Sequence, residues 1–327
     1  MRVRAWGLPV ALAVAALAIV DGGPALADDR FALIVTGASG GPPYAEKYDA
    51  WRRSLVATLR GKFGHADNHV IVLAETESQG VRKATRENVR RALADLNSRV
   101  TKDDVLLIML IGHGTSLDGE DGKFNLVGPD LSATEWADLV KPMSGRLVFI
   151  DASSASFPFM RRLARPGRVV LTATDSSAQQ FETVFPEFFL RAFDGHAADL
   201  DKNGRVSLWE AFSYASVGIR QSFEQKGRLP TERPLLDDNG DGIGREAQTP
   251  GPDGDMARAI YLEPDVPAGV AANSELAGLL KRRAELEAEV EALRARKSTL
   301  PADEYDAALE QVLVELARVS ARIRAKS

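Results

Sequence analysis

The chain has 327 residues, 45% hydrophobic and 27% charged, with a formal net charge of -5, which fits one ordinary globular core with an appendage. The mildly acidic balance argues against a nucleic-acid partner. There is no cysteine, so disulfides are excluded, and in an oxidising compartment packing or a bound metal has to stabilise the fold.

In chain order, the first residues have the form of an export signal. Arg2 and Arg4 make a basic start, residues 5–20 an apolar run, and Gly22-Gly23-Pro24 a break before the small-residue site Ala25-Leu26-Ala27. Cleavage before Asp28 is expected, giving a periplasmic or secreted chain with no membrane segment after cleavage. The other reading, an uncleaved anchor, has a short run for a span.

Residues 31–35, 69–73, 105–111, 147–150 and 169–172 read as buried strands. Amphipathic helices lie between them. One spans about 44–63, with Tyr48, Trp51, Leu55 and Leu59 on one face, and Thr85 caps another that carries Val89, Ala92, Leu93 and Leu96. Strands apolar on both faces and alternating with helices predict an α/β fold, a mostly parallel sheet covered by helices on both faces. A helix around Phe188, Asp- and Gly-rich loops and a late strand at 259–262 follow. Residues 266–273 read as a linker, and 274–327 as a helical hairpin with heptad-spaced Leu279, Leu286, Val290, Leu309, Val312 and Leu316. This pair either packs on itself and the main domain, which spans 28–265, or joins chains into an oligomer.

Two strand ends stand out. The strand 105–111 runs into Gly112-His113-Gly114-Thr115, and the strand 147–150 into Asp151-Ala152-Ser153-Ser154-Ala155-Ser156. Ligands meet the carboxyl ends of strands in such sheets. These motifs, in this order, resemble the catalytic His and Asp-Ala-Cys-x-Ser-Gly segments of the caspase/legumain (haemoglobinase) clan, closest to bacterial legumain-like C13 peptidases. Thr172-Ala173-Thr174-Asp175-Ser176-Ser177 resembles that family's substrate-pocket stretch. The resemblance covers residues 31–262 by pattern. It implies His113 as the acid–base residue, Asp151 beside it, Ser153 at the nucleophile position, and the Gly114 and Ser153 backbone N–H groups as oxyanion donors.

Ser153 stands where the family has cysteine, so the chain is no cysteine protease. An alcohol is far less acidic than a thiol and needs an aligned base. One reading is a pseudopeptidase that still binds peptide or protein partners. The alternative is an active endopeptidase using Ser153 and His113, and a third is a scaffold whose helical tail does the work. Ser154 and Ser156 read as helix-capping residues.

Residues 199–210 fit the twelve-residue EF-hand calcium loop. Asp199, Asp201 and Asn203 offer side-chain oxygens, Gly204 the sharp turn, Arg205 a backbone carbonyl, Ser207 the ninth position and Glu210 two oxygens at the twelfth. Asp237, Asn239 and Asp241 begin a second, weaker loop with Gln248 where Glu is required, and Asp253-Gly254-Asp255 reads as turn material. Gly37-Ala38-Ser39-Gly40-Gly41 reads as a tight turn, since it lacks a Walker lysine. His65 and His69 read as surface histidines.

Overall fold

The structure, a computed structural model, describes residues 29–116, 119–267, 269–270, 274–297 and 299–326; the expected export signal lies outside them. The main domain alternates β1 (Arg30–Thr36), α1 (Pro42–Ala57), β2 (Val70–Ala74), β3 (Val81–Lys83), α2 (Arg86–Arg99) and β4 (Val105–Ile111). Three short strands follow, β5 (Gly114–Ser116), β6 (Gly122–Phe124) and β7 (Leu131–Ser132). Then come α3 (Ala133–Val140), β8 (Arg146–Asp151), α4 (Phe157–Leu163), β9 (Arg168–Thr172), α5 (Phe185–Arg191), α6 (Leu208–Gln225), β10 (Leu235–Asp237) and α7 (Asp255–Ala259).

The seven-stranded sheet has the order β10-β9-β8-β4-β1-β2-β3. Every pairing is parallel except that of β10 with β9. Period-two alternation splits the central strands between two cores. Ala32, Ile34, Leu107, Met109, Val148 and Ile150 meet α1, α5 and α6, while Leu33, Val35, Leu106, Ile108 and Phe149 meet α2, α3 and α4. The expected α/β architecture is therefore present, with helices on both faces. The chain runs outward one way from β1 and the other way from β4, so the crevice at their carboxyl ends is a topological switch point.

Several local expectations change. Residues 259–262 are no strand: Ala259 ends α7, and Tyr261 makes a single bridge to Ser207. The Asp238 carboxylate accepts the Gly254 and Ala257 N–H groups and so favours a helical turn there. The antiparallel edge is β10, which at three residues is too short for a periodicity signal. Helix α1 ends at Ala57 and continues to Lys62 as a wider π turn. Thr85 does cap α2, accepting the Asn88 N–H at 3.3 Å.

The last two helices, α8 (Glu275–Ala295) and α9 (Ala302–Arg324), pack antiparallel. Leu279, Leu280, Leu286, Val319 and Ile323 form their core, joined by Val266 and Val270 from the segment expected to be a linker. None of the described helices is long and apolar enough to cross a membrane.

Candidate functional site

Strands β4 and β8 pair with Leu110 opposite Asp151, so His113 and Ser153 emerge at adjacent strand ends. Gly114 is fixed by crowding. A Cβ there would lie 2.1 Å from the Ser154 carbonyl oxygen and 2.7 Å from Ser153 Oγ, so only glycine lets β5 start against the 153–154 turn.

Ser153 is wholly buried. Its hydroxyl donates to Asp151 Oδ1 at 2.6 Å, and its N–H donates to the same oxygen at 3.0 Å. Asp151 is also fully buried, and its Oδ2 has no hydrogen-bond partner. Burial pushes the Asp151 carboxyl up to about 7, against the pull of the Ser153 hydrogen bonds.

His113 faces the other way. Its Nε2 lies 3.0 Å from the Ser39 carbonyl oxygen, which requires the proton on that nitrogen. The Tyr48 hydroxyl lies 3.4 Å from Nδ1 and 3.2 Å from Nε2. Tyr44 and Tyr48 meet the ring edge-on, at 4.8 and 5.5 Å between centroids. Burial, with Glu182 nearby, raises the Tyr48 phenol well above its usual range, so it stays neutral. Among the described residues no hydrogen bond joins His113 to Ser153.

Both amides assigned to an oxyanion are engaged within the chain. The Gly114 N–H donates to Ser154 Oγ at 3.2 Å, and that hydroxyl donates to the Gly114 carbonyl at 3.1 Å. The Ser153 N–H is held by Asp151. An anion could use them only after both bonds opened.

The capping roles expected of Ser154 and Ser156 are not found. Ser154 closes on Gly114. Ser156 sits at the start of α4, but its hydroxyl pairs with Thr174 Oγ1 at 3.1 Å and accepts the Thr174 N–H at 3.2 Å. Thr174, on the loop after β9, is a closer partner than the first turn of α4. Between them Ala155 adopts φ 49, a left-handed conformation costly for a side chain with Cβ, and its N–H donates to the Gln179 carbonyl at 2.7 Å. The buried Gln179 side-chain amide has no partner. Lys47 of α1 pairs with Glu182 at 2.8 Å and closes the rim, where Phe181 is 72% exposed. Thr174 lies in the 172–177 stretch that resembles a substrate pocket, whereas Ser39 and Tyr48 carried no signal beyond a turn and a helix face, and Gln179 carried none.

The loop 199–210 folds through Asx-type hydrogen bonds. Asp199 Oδ2 accepts the Gly204 N–H, Asp201 Oδ1 that of Asn203, and Asn203 Oδ1 that of Arg205. Lys202 and Gly204 take left-handed turns at φ 62 and 88. Asp199, Asp201 and Glu210 each place a carboxylate oxygen within 4.8 Å of the others, and Asp199 Oδ1 is buried without a partner. Burial, with Glu210 and Asp199 adding, raises Asp201. Ser207 caps α6 and forms a capping box with Glu210, whose Oε1 also accepts the Leu200 N–H at 2.7 Å. An all-oxygen set of this kind suits a hard divalent cation.

The Arg205 side chain leaves the loop altogether. It is buried against Asp265 (2.9 Å), Glu287 of α8 (3.3 Å) and the face of Tyr261 (3.9 Å), and Asn203 Nδ2 donates to the Tyr261 hydroxyl at 3.0 Å. The loop is thereby tied to the C-terminal pair.

In the second loop, Asp237 accepts the Gly240 and Gly242 N–H groups, and the side chains of Asn239 and Asp241 each accept the amide two residues on. Asp253 is not loose turn material. It is buried, and its Oδ1 accepts the Asp238 and Asn239 N–H groups. His65 is not a surface residue either: it is buried, with Nε2 at 2.8 Å from the Leu262 carbonyl. His69 stacks on Phe31.

No family model matches the chain. Metacaspase-4 of Arabidopsis thaliana is 35% identical over 78 residues, 24% of this chain and 18% of that protein. Metacaspase-6 of the same plant is 33% identical over 78 residues, 24% of this chain and 21% of that protein. The chain thus spans about a fifth of the length of the curated relatives it matches. This local similarity supports a caspase-like relationship. Among solved structures, a Geobacter sulfurreducens protein aligns with a TM-score of 0.43 and 16% identity, over 64% of this chain and 92% of that one. Raptor of Chaetomium thermophilum aligns with a TM-score of 0.32 and 11% identity, over 91% of this chain and 26% of that one.

Proposed function

We propose that this chain is an exported, calcium-binding pseudopeptidase of the caspase-like type, which binds peptide or protein segments at the β4–β8 strand ends without cutting them. The observation that carries the reading is the commitment of Ser153. Its hydroxyl is buried and bonded to Asp151 at 2.6 Å, while the imidazole that would take its proton is bonded to Ser39. In a Ser153–His113 pair the imidazole would have to sit on that proton. An endopeptidase using Ser153 and His113 would have to turn the ring, expose the hydroxyl and free two amides together.

Peptide binding is supported by what the cleft still offers. Strand β5 is an edge of the three-stranded sheet, where an added strand would have to displace Ser154 from the Gly114 backbone groups. The exposed Phe181 and the half-exposed Tyr44 and His113 flank the cleft. Calcium is proposed for the loop of Asp199, Asp201, Asn203, Arg205, Ser207 and Glu210, where the ion would neutralise three gathered carboxylates. Export rests on the leader-like residues 1–27, and self-association through α9 on the exposed Leu313 and Val314, since heptad positions such as Leu279, Leu286 and Val319 pack within the pair.

The test is to incubate the chain with a mixed peptide library in calcium and to identify bound and released peptides by mass spectrometry. Intact peptides retained on the protein are expected. Cleaved products that vanish with Ser153→Ala would remove the pseudopeptidase reading, and no retention at all would remove peptide binding.

A further inference from the structure

We propose that a cavity at the seam between the main domain and α8 is a binding site for one uncharged, mostly apolar small molecule. The cavity measures about 750 Å³, within the range of small-molecule sites, which favour such seams. On the domain side it meets the N-terminal end of the sheet, where Arg30 and Arg146 start β1 and β8 in register across β4. It therefore lies at the opposite end of the strands from His113 and Ser153. On the other side α8 lines it with Ala277, Gly278, Ala284 and Ala288. These side chains are too small to fill the space, and a Cβ built on Gly278 would meet no atom within 4 Å. The helical pair keeps an apolar core of its own around Leu279, Leu286 and Val319, so packing does not close the seam.

Charge selects the ligand's chemistry. Among the described residues, lysine or arginine side chains and carboxylates line the cavity in equal number, and the buried ones are spent on one another. Asp265 joins Arg205 at 2.9 Å and Arg30 at 3.4 Å, and Glu287 joins Arg205 at 3.3 Å. An ionic ligand would shed its water and find no net countercharge, unless it broke one of these pairs. The rest of the wall is more apolar than polar, with Tyr261 and Val266 facing the alanines of α8. Protein interiors leave few voids larger than a water molecule. An apolar body in this one gains the free energy of leaving water and makes the contacts the small side chains leave unmade. Bound there, it would touch the domain and α8 at once and fasten the helical pair.

The test is equilibrium dialysis of the full chain against three probes with one ring system: 2-naphthol, naphthalene-2-sulfonate and 2-(aminomethyl)naphthalene. One 2-naphthol per chain is expected, with the anionic and cationic probes bound at least tenfold more weakly. Ala284→Phe, which fills the cavity, should weaken 2-naphthol at least tenfold. Ala288→Leu, at an exposed position where folding is not at stake, should weaken it severalfold and decides alone if the phenylalanine variant does not fold. Hydrogen exchange should slow over residues 277–291 when 2-naphthol binds and stay unchanged at 113–116. Absence of 2-naphthol binding, equal binding of the charged probes, or affinity unchanged by both substitutions would overturn the proposal.

Discussion

Replacing Arg205 by alanine separates the two roles the structure gives this residue. Its backbone faces the loop, and its side chain is spent on Asp265, Glu287 and Tyr261. Breaking a buried ion pair from one side costs about 3–5 kcal/mol, because the partner charge is left behind. Here the cost falls toward the lower end. Glu287 retains Arg283 at 3.6 Å, and Asp265 is 24% exposed and retains Arg30 at 3.4 Å. Loss of the stack on Tyr261 adds about 1–2 kcal/mol. A net loss of about 4 kcal/mol, at roughly 2 °C per kcal/mol for a chain of this size, lowers the melting temperature by about 8 °C. Calorimetric unfolding measures it, and limited proteolysis should show α8 and α9 cut first. A shift below about 1 °C, or an unaltered proteolysis pattern, would refute the claim that this side chain holds the helical pair to the domain. Calcium affinity should change less than tenfold, since the carbonyl at position 205 remains.

Three further outcomes follow from the same geometry. Asp151 has a folded-state value near 7 against an ordinary 3.8. Between those values the folded chain keeps a proton that the unfolded chain has released, so stability falls as pH rises from about 4 to about 7. Asp151→Asn, which keeps an acceptor for Ser153, should flatten that slope in melting temperature measured against pH. Gly114→Ala forces a methyl to within 2.1 Å of the Ser154 carbonyl and should cost about 2 kcal/mol or more in a denaturant titration. Glu210→Gln removes one carboxylate from the Asp199 loop and should abolish most of the calcium-dependent gain in melting temperature.

The five strands that are apolar on both faces were legible for that reason, whereas the edge strand β3, Val81–Lys83, is polar and gave no such run. Runs such as residues 105–111 leave no other reading, and the cap at Thr85 was local chemistry. What escaped depends on pairings distant in sequence. Strand β10 exists only because β9 offers it an edge, and its three residues carry no period. Asp253 read as turn material because its partners are amides of residues 238 and 239. The strand ends were located by motif, but the orientation of His113 was not. Ser39 and Tyr48, which hold the ring, come from the β1–α1 turn and the helix that covers the sheet. His65 read as a surface residue because its acceptor, the Leu262 carbonyl, is 197 residues away.

The most direct measurement is hydrolysis of a fluorogenic peptide library in calcium by the wild-type chain, Ser153→Ala and Ser153→Cys in parallel. The account predicts the same background rate for wild type and Ser153→Ala, because the Ser153 hydroxyl is buried on Asp151 and His113 is bonded to Ser39 instead of to that proton. The cysteine variant reports whether the nucleophile alone is missing. Turnover by wild type that Ser153→Ala abolishes would contradict the account and make this chain a serine peptidase.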